Sequence, residues 1–488
     1  GDEDQSIYRW RGADYHNVTR FEKENPKASK LLLERNYRST QNILDAAQAV
    51  INLNTARTAK NLFSKRGSGN SLVLYDAVDD HAEAAYVVGD IMDRIAAGEG
   101  GESIAVMYRT NAQSRLFEEA FLRTGLPYRL VGAQRFYGRR EVKDLVAFLR
   151  LIHNPNDVIS FNRTINLPPR GIGNKTLETL SLIAGENTLF PCDVLLSLGD
   201  KGQASPFWDS FNARSVSALS GFGALLVKWQ DLIHNSSLPD LFDQIIKDID
   251  YKAFIDDGTD IGGGRWENVL ELRQLAYEFE SRGMNEFLET IALVSDQDTI
   301  PDTLSVPTLL TLHAAKGLEF STVYIVGLDE GLLPHNRSFD DPEEMAEERR
   351  LFYVGITRAK NDLVLVRASQ RSNFGRFEYT MPSRFLEDIP KELVKQEGTR
   401  LGVRRVKPLS QPRWTPSLSK ETHSHQPQPE KPKEVKYKAG MRVIHPVWGD
   451  GMVIETRTMG NDETLSVMFD TVGLKRLAAS LAKLEIVK

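Results

Sequence analysis

The fold is decided by residues 308–326, which read Thr308-Leu-Leu-Thr-Leu-His313-Ala-Ala-Lys316-Gly-Leu-Glu319-Phe-Ser-Thr-Val-Tyr-Ile-Val326. The apolar run at each end is typical of a short buried β-strand. Polar residues and a glycine follow the first strand at its carboxyl end, where open α/β sheets bind their ligands. The pattern therefore favours a ligand loop, in which Lys316 and Glu319 contact phosphate and sugar, over a plain surface turn.

Strands and helices alternate on either side of this stretch. Apolar runs at residues 31–33, 71–75, 103–108 and 362–366 predict further strands, and residues 81–97 predict a helix. This alternation indicates a parallel α/β sheet.

Three segments of the chain depart from this alternating pattern of strands and helices. Between residues 131 and 302 helical periodicity dominates, which predicts an all-helical insertion in the sheet domain. The glycine-rich residues 258–265 are predicted to be one of the loops between its helices. Residues 396–436 are rich in Pro, Ser, Gln and basic residues, which is typical of a disordered linker. Residues 437–488 alternate apolar and polar positions between glycine turns and predict a small antiparallel barrel. The predicted fold class is α/β with a helical insertion and a small all-β C-terminal domain.

Composition excludes some classes of protein. No apolar run approaches the roughly 20 residues that span a bilayer, which predicts that the chain has no membrane partner. The single cysteine, Cys192, excludes a disulfide framework and fits a reducing cytoplasm. The net charge is −6, yet residues 391–488 hold 18 Lys and Arg against 11 Asp and Glu. A basic tail on an acidic body is compatible with a polyanionic partner and also with a merely soluble linker.

The first residues carry a compact polar and aromatic block, Gly1-Asp-Glu-Asp-Gln5-Ser-Ile-Tyr8-Arg-Trp10-Arg11. A glutamine after a strand can hydrogen-bond a phosphate or the water that attacks it. Aromatic rings beside arginines suit single-stranded nucleic acid, because rings stack on bases and guanidinium groups bind phosphates. The alternative is that Tyr8 and Trp10 are core residues. Such a block normally follows a core strand, so we expect further protein upstream of residue 1.

Two other segments place an arginine where it can reach a phosphate. In Asn36-Tyr37-Arg38-Ser39-Thr40, Arg38 can bind phosphate and Tyr37 can stack on a base; the alternative is a helix start capped by Ser39 or Thr40. Arg358 ends an acidic-start helix that precedes a core strand, where it can act as an arginine finger. The alternative there is an arginine that neutralises the terminal carbonyls of its helix.

The helical insertion contains one further candidate, Arg170-Gly171-Ile-Gly173-Asn-Lys-Thr. A Gly-Ile-Gly turn that opens a helix presents backbone N–H groups to a phosphate, as duplex-binding helical hairpins do. A plain helix–turn–helix junction is the alternative.

Some chemistry is missing from the sequence. No G-x-x-x-x-G-K-[ST] phosphate loop occurs, since Gly173-Asn-Lys-Thr interrupts the Gly-Lys pair. No apolar strand ends in paired acids for Mg²⁺, and one cysteine is too few for a zinc site. We therefore expect no metal site within these residues.

Taken together, these blocks resemble the later motifs of superfamily 1 DNA helicases of the UvrD/PcrA/Rep group, in the family's order. The opening block resembles motif III, Asn-Tyr-Arg-Ser-Thr motif IV, Leu-His-Ala-Ala-Lys-Gly-Leu-Glu-Phe motif V, and Tyr-Val-Gly-Ile-Thr-Arg-Ala motif VI. Residues 136–144 and 327–335 also fit the family. The resemblance covers nearly the whole chain, beginning at motif III.

The resemblance implies a division into domains. Residues 1–29 would be a remnant of the first RecA-like domain, 1A, and residues 30–130 with 303–395 the second, 2A. Residues 131–302 would be the 2B insertion, 396–436 a basic linker, and 437–488 a Tudor-like barrel that is thought to contact RNA polymerase.

It also implies roles for particular residues, with ATP and Mg²⁺ as cofactors. Gln5, Arg38 and Arg358 would act on the γ-phosphate, Tyr37 would stack on adenine, and Lys316 and Glu319 would bind the nucleotide. Tyr8, Trp10, Arg11 and His313 would lie along single-stranded DNA, and single-strand/duplex junctions would be a further DNA partner. Gly171 and Gly173 remain the duplex-backbone candidates that the turn described above suggests. In such enzymes ATP closes the cleft between two RecA-like domains and advances the protein in the 3′→5′ direction.

This sequence departs from the family's pattern in lacking the motifs that bind ATP and Mg²⁺. The family's P-loop and Mg²⁺-binding acids belong upstream of motif III, so we expect this chain to be inactive alone and to be the C-terminal portion of a cytoplasmic repair or replication helicase. The competing hypothesis is a non-enzymatic module that binds DNA or RNA polymerase.

Overall fold

The computed structural model describes two separate units of the chain, residues 1–405 and 406–488. The described residues are 2–8, 16–29, 31–55, 57–233, 235–295, 305–373, 376–398, 441–445, 449–459, 462–469, 473–478 and 485–486.

The chain before the main sheet forms a small parallel β–α–β arrangement. Helix α1 (His16–Glu24) is followed by strand β1 (Arg35–Asn36), helix α2 (Gln41–Ile51) and strand β2 (Phe63–Ser64). Strands β1 and β2 pair in parallel across α2. The apolar face of α2 is fully buried against the main sheet, which fixes the loop ahead of it.

The main sheet is assembled from two distant parts of the sequence. Its strands are β3 (Leu72–Asp79), β4 (Ile104–Tyr108), β5 (Arg129–Val131), β6 (Thr308–Thr311), β7 (Phe320–Ile325), β8 (Ala359–Asn373), β9 (Arg376–Tyr379) and β10 (Val394–Gly398). Their order is β10-β3-β8-β7-β4-β6-β5, all parallel, and β9 pairs antiparallel with the end of β8. Because β4 lies between β6 and β7, the loop that joins β6 to β7 crosses the carboxyl end of β4.

Helices cover both faces of this sheet, as a parallel sheet requires. On one face α3 (Asp80–Ala96) and α4 (Ser114–Thr124) pack onto alternate side chains of the central strands. The other face is covered by α2 and by a later helix, described below, whose side chains share a second core with Ile7.

Between β5 and β6 the described chain is helical and has its own core. Its helices are α5 (Arg140–His153), α6 (Val158–Thr164), α7 (Asn174–Glu186), α8 (Pro191–Lys201), α9 (Ala213–Ile233), α10 (Leu238–Asp248), α11 (Tyr251–Ile255), α12 (Asp260–Glu278) and α13 (Gly283–Ser295). At the centre Phe148, Phe222 and Trp229 pack edge to face. After β7, α14 (Pro342–Ile356) covers the second face of the sheet, and the short α15 (Arg384–Glu387) precedes β10.

Three local predictions are wrong. The leucines at 31–33 were expected to form an apolar strand, but β1 begins only at Arg35, and Leu31 and Leu33 are 89% and 92% exposed. Residues 258–265 were expected to be a loop, but α12 begins at Asp260, because the Thr259 side chain caps it by accepting from Gly262 N. The linker was expected from residue 396, but residues 396–398 still pair with β3; residues 399–436 lie outside the described residues.

The second unit is an antiparallel sheet. Its strands are β11 (Arg442–His445), β12 (Gly449–Met459), β13 (Asp462–Phe469), β14 (Gly473–Ala478) and β15 (Glu485–Ile486), in the order β14-β13-β12-β11-β15. Val443, Val453 and Val467 are buried there. The predicted fold class, a parallel α/β sheet interrupted by helices and followed by a small all-β domain, is confirmed.

Within the described residues, no helix is long and apolar enough to cross a membrane.

Candidate functional site

The loop between β6 and β7 lies at the carboxyl edge of the sheet, as predicted. Gly317 has a φ of +92°, a backbone conformation that residues with a Cβ rarely adopt, and this permits the tight turn. Lys316 next to it is exposed, and its Nζ donates to the backbone oxygen of Gln5 at 2.8 Å. The ammonium also lies 5.2 Å from the centroid of the Tyr8 ring. The loop is therefore joined directly to the opening block.

Tyr8 also contacts His313, at the start of the loop between β6 and β7. The Tyr8 hydroxyl donates to the backbone oxygen of His313 at 2.9 Å, and the two ring centroids are 6.3 Å apart. Burial and the nearby Arg109 guanidinium lower the pKa of His313 to about 3, so the imidazole is neutral at physiological pH. Trp10 and Arg11 lie outside the described residues.

The acids of the opening block are held by a basic segment after α2, which the sequence did not reveal. Arg57 binds both carboxylate oxygens of Asp4, at 3.0 and 2.9 Å, and Lys60 pairs with Asp2 and Asp4. Gln5 Nε2 in turn donates to Asp2 at 2.9 Å. These contacts attach residues 2–5 to the residues that follow α2. Gln5 lies at the end of a short 3-10 turn, and its side chain is held by its hydrogen bond to Asp2.

The Arg38 side chain is hydrogen-bonded to Glu319, which lies in the loop between β6 and β7. Its Nε donates to Glu319 Oε2 at 2.8 Å, and its NH1 to the backbone oxygen of Thr357 at 3.2 Å. Lys360 approaches the other oxygen of Glu319 at 2.8 Å. Hydrogen bonds from Lys360 and Arg38 lower the pKa of Glu319 to about 2. A carboxylate between two cations thus links three segments that are distant in sequence.

The turn that carries Arg38 is built by local hydrogen bonds. The Asn36 side chain accepts from the backbone N–H groups of Arg38 and Ser39, at 2.8 and 2.9 Å, and this rigid turn projects Arg38 inward. Tyr37 points away and is exposed, with the Arg35 guanidinium 4.6 Å from its ring centroid. An exposed ring supported from behind in this way is available for stacking.

Arg358 follows α14 and is only 2% exposed. Its guanidinium donates to the backbone oxygens of Val354 and Leu318, at 3.0 and 3.3 Å, and to the Thr357 hydroxyl at 3.1 Å. None of these acceptors carries a charge. Burial and the proximity of Arg38 lower the pKa of Arg358 to about 10. A buried guanidinium that is still charged at neutral pH, beside a second one, favours binding of an anion between them.

Arg66 is a further site residue that the sequence did not single out. Its guanidinium donates to the backbone oxygens of Arg38 and Lys360 and to the Asn361 side chain. It therefore braces the two turns that carry Arg38 and Lys360. Nothing in the local sequence distinguishes Arg66 from a surface arginine, so only the tertiary structure identifies it.

Gly171 and Gly173 lie away from this network, in the helical insertion between α6 and α7. Gly171 has a φ of +74°, and Gly173 is the N-cap residue of α7 with no atom within 4 Å of the place where a Cβ would be. The backbone at the start of α7 is therefore unobstructed, as an anion-binding helix start requires.

An exposed aromatic ridge is a second feature that the sequence did not reveal. Strand β8 continues past its neighbours and pairs with β9 as a two-stranded ribbon. Phe377, Tyr379 and Met381 alternate along the chain, and all are exposed, Tyr379 at 84%. Alternate residues of a strand share one face, so Phe377 and Tyr379 of β9 present one aromatic face to solvent, of a kind that stacks on nucleobases.

No group of three or more His, Cys, Asp or Glu side chains among the described residues could hold a metal ion.

The main unit is thus an α/β domain whose parallel sheet is interrupted in the sequence by a helical insertion and carries Arg38 and Arg358 near its carboxyl edge. Residues 31–198 and 223–370 match the model of the UvrD-like helicase C-terminal domain, residues 439–485 the PcrA/UvrD tudor domain, and residues 1–26 the UvrD/REP helicase N-terminal domain. The chain belongs to the UvrD-like helicase family, and the predicted resemblance is confirmed.

Similar curated proteins are named ATP-dependent DNA helicase PcrA. The one from Staphylococcus epidermidis (strain ATCC 12228) is 38% identical over 495 residues, and the one from Bacillus subtilis (strain 168) is 37% identical over 504. Each alignment covers 99% of this chain but only 65% and 66% of the relative. The chain thus spans about two thirds of the length of these relatives.

A solved structure, described as the C-terminal domain of a possible DNA helicase from Lactobacillus plantarum, aligns with 74% of this chain and 98% of that one. The identity is 12% and the TM-score 0.28, too low to support any inference.

Proposed function

We propose that the chain is the C-terminal motor portion of an ATP-dependent DNA helicase that moves 3′→5′ on single-stranded DNA and unwinds duplex in repair or replication. Membership of the UvrD-like family supports this, as do the relatives' names. The observation that carries the proposal is Arg358, a buried guanidinium with only uncharged acceptors beside Arg38.

In this proposal Arg38, Arg358 and Gln5 bind the γ-phosphate of ATP. Arg358 fits that role because its hydrogen-bond acceptors among the described residues are all uncharged, so its guanidinium can still stabilise the charge of a transferred phosphoryl group. Tyr37 would stack on adenine, while Lys316 and Glu319 would contact the nucleotide. The P-loop and the acids for Mg²⁺ would come from protein outside these 488 residues, since the sequence has neither.

The proposed contacts with DNA involve aromatic side chains and backbone N–H groups. Tyr8 and His313, joined by a hydrogen bond, would lie along the single strand together with Trp10 and Arg11. Gly171 and Gly173 would bind the duplex backbone at the start of α7. The exposed ridge on β9 adds a further surface that suits unpaired bases.

We further propose the domain division that the resemblance implies. Residues 1–29 would complete domain 1A, 30–130 with 303–395 would form 2A, and 131–302 would form 2B. The last unit would contact RNA polymerase, and the protein would act in the cytoplasm.

ATP turnover by a reconstituted motor tests this proposal. The chain would be fused to the N-terminal region of the Staphylococcus epidermidis relative, and DNA-stimulated turnover and unwinding of a duplex with a 3′ single-stranded tail would be measured. Arg358→Ala should lower kcat roughly 10³-fold, the magnitude typical of an arginine finger. Arg123→Ala, at an exposed arginine of α4, is the matched control and should leave kcat unchanged.

The chain without that region should show no DNA-stimulated ATPase. Turnover by the unfused chain that Arg358→Ala abolishes would overturn the expectation of inactivity. The alternative, a non-enzymatic binding module, would be favoured by a fusion that binds DNA tightly but hydrolyses no ATP.

A further inference from the structure

The backbone of the opening block is held against the sheet domain by two cations and a buried side chain. Arg350 Nε of α14 donates to the backbone oxygen of Ser6 at 3.0 Å, and Lys316 donates to that of Gln5. Ile7 is fully buried in the core to which α2 and α14 contribute. These contacts fix the path of the backbone, but they leave the direction of the Gln5 side chain open.

The direction of the Gln5 side chain is set by Asp2. Gln5 Nε2 donates to Asp2 Oδ2 at 2.9 Å, while Asp2 Oδ1 accepts from the backbone N–H of Asp4 at 3.2 Å and from Lys60 Nζ. An ionised carboxylate can only accept hydrogen bonds. Asp2 therefore binds the nitrogen end of the Gln5 amide and leaves the oxygen end to accept from another donor.

Two cations of the segment after α2 hold Asp2 and Asp4 in turn. Arg57 Nε and NH2 donate to the two oxygens of Asp4 at 3.0 and 2.9 Å, and the Arg57 and Asp4 side chains are only 9% and 2% exposed. Lys60 Nζ contacts Asp2 and lies 3.3 Å from Asp4 Oδ2. A bidentate pair of arginine and carboxylate is directional, and a buried carboxylate is costly unless it is paired. The two acids are therefore held in one position.

The segment that carries these cations also contributes to the position of Arg38. Residues 57–60 lie just before β2, and β2 pairs with β1, which leads into the turn that carries Arg38. Between them, Asn61 N donates to Glu34 Oε1 at 2.8 Å, just ahead of β1. One short segment thus fixes both Gln5 and Arg38, and with them the relation between the two side chains.

Hydrolysis of ATP makes the direction of a glutamine amide important. The oxygen of the attacking water forms a bond to the γ-phosphorus as the bond to the β–γ bridging oxygen breaks, which gives ADP and phosphate, and a water proton passes to solvent. A glutamine can orient this water, and its amide oxygen is the end that accepts from the water. An amide held by its nitrogen end, beside an arginine suited to phosphate, meets this requirement.

We propose that Arg57 and Lys60 are positioning residues that orient the Gln5 amide for the attack of water on the γ-phosphate of ATP. They act through the carboxylates of Asp4 and Asp2 and touch neither ATP nor the water. The role in hydrolysis rests on the proposed function, whereas the attachment of the opening block by these two cations does not.

Amide hydrogen exchange in the 488-residue chain, without nucleotide, tests the attachment. The N–H groups of Asp4, Gln5 and Ser6 are hydrogen-bonded within the block, so their exchange reports its local opening. Lys60→Met removes the charge but keeps a side chain of similar length, and it should speed this exchange about tenfold or more. Exchange in β4 and β7 should not change. Arg123→Ala, at an exposed arginine of α4, is the control and should leave the block as it is.

Arg57→Lys is the second variant, in case Lys60→Met fails to fold. It keeps a positive charge beside Asp4, but a lysine lacks the planar fork that binds both carboxylate oxygens. It too should speed exchange at residues 4–6. Unchanged exchange there in the folded variants would overturn the positioning role.

Kinetics of the fused motor described above test whether the segment acts through Gln5. Lys60→Met should lower kcat about 10- to 100-fold, as expected for a slightly misplaced group, and should leave the KM for ATP unchanged because Lys60 does not touch ATP. In a Gln5→Ala background the same substitution should lower kcat no further, since the group that it positions is absent.

The outcomes separate this proposal from the proposed function. An equal loss of kcat with and without Gln5, or a raised KM with kcat unchanged, would show that the segment does not act through Gln5 and would overturn the positioning role. If the variants speed exchange but the wild-type fusion hydrolyses no ATP, the attachment of the block stands and the proposed function fails.

Discussion

At the scale of single residues, the site depends on how positive charge is distributed. Arg38 and Lys360 share Glu319, while Arg358 has only neutral acceptors. The first arrangement fixes the geometry of the site, and the second leaves charge available to an anion. An anion bound between Arg38 and Arg358, as proposed above, would find these groups already held in place, which reduces the reorganisation that binding requires.

Glu319 provides a pH-dependent test of this arrangement. Lys360 and Arg38 lower the pKa of Glu319 to about 2. The ionised carboxylate therefore stabilises the folded protein at every pH above the ordinary pKa of a glutamate, and this stabilisation disappears as the pH falls toward 2. Carboxyl carbon-13 NMR with labelled glutamate, assigned through Glu319→Gln, should show a midpoint near 2. Lys360→Met should raise the midpoint toward about 4.3.

Lys391→Met, at an exposed lysine away from the site, is the control and should leave the midpoint in place. A wild-type Glu319 that titrates at the ordinary value would contradict the pairing with Arg38 and Lys360.

The sequence singled out several residues of this candidate site but not the contacts between them. Arg38, Lys316, Glu319 and Arg358 could be singled out because each stands in a short block of polar residues next to an apolar run. Arg66 could not, since it interacts with backbone oxygens whose positions depend on the tertiary fold.

At the scale of elements, two helices of the insertion cross at glycines. A Cβ on Gly199 of α8 would lie 2.1 Å from the backbone carbon of Gly223 on α9, and a Cβ on Gly223 would lie 2.2 Å from the backbone oxygen of Leu195. Backbone atoms cannot move aside as a flexible side chain can. The two helices therefore approach closely only because neither glycine has a side chain.

Gly199→Ala should consequently lower the free energy of unfolding by about 3 kcal/mol, at the upper end of overpacking costs. Gly221→Ala is a matched control on α9, because its Cβ meets nothing within 4 Å. It should raise the stability by up to about 1 kcal/mol, since alanine is the better helix former. Denaturant unfolding followed by circular dichroism measures both. Equal effects of the two substitutions would contradict the close crossing.

The elements also show where sequence patterns fail. The strands at residues 104–108 and 320–325 were predictable because apolar runs of that length are buried in a parallel sheet. The leucines at 31–33 form a similar run, yet they are exposed, since no described residues cover them. An apolar run predicts burial only where a neighbouring helix or strand packs against its side chains. The helix start at Asp260 was missed because capping by Thr259 outweighs the low helix propensity of three glycines.

At the scale of the whole molecule, the chain consists of two units of very different size and structure. The first holds the candidate site, the insertion and the ridge, and its cores are formed within residues 1–405. The second has its own antiparallel ladder and buried valines. Composition predicted a basic, apolar-poor linker over residues 396–436, and the boundary between the two units, after residue 405, falls within that range.

We therefore predict that residues 437–488 fold without the rest of the chain. Strands β12 and β13 pair over most of their length, and β11 pairs with the terminal β15, so every described pairing of this sheet lies within the segment. A domain of this size buries little surface, and its stability should be only about 3–5 kcal/mol. The excised segment should give a dispersed amide NMR spectrum, and residues 1–405 should unfold at the same temperature as in the full chain. A collapsed spectrum, or a lower unfolding temperature after truncation, would show that the two units depend on each other.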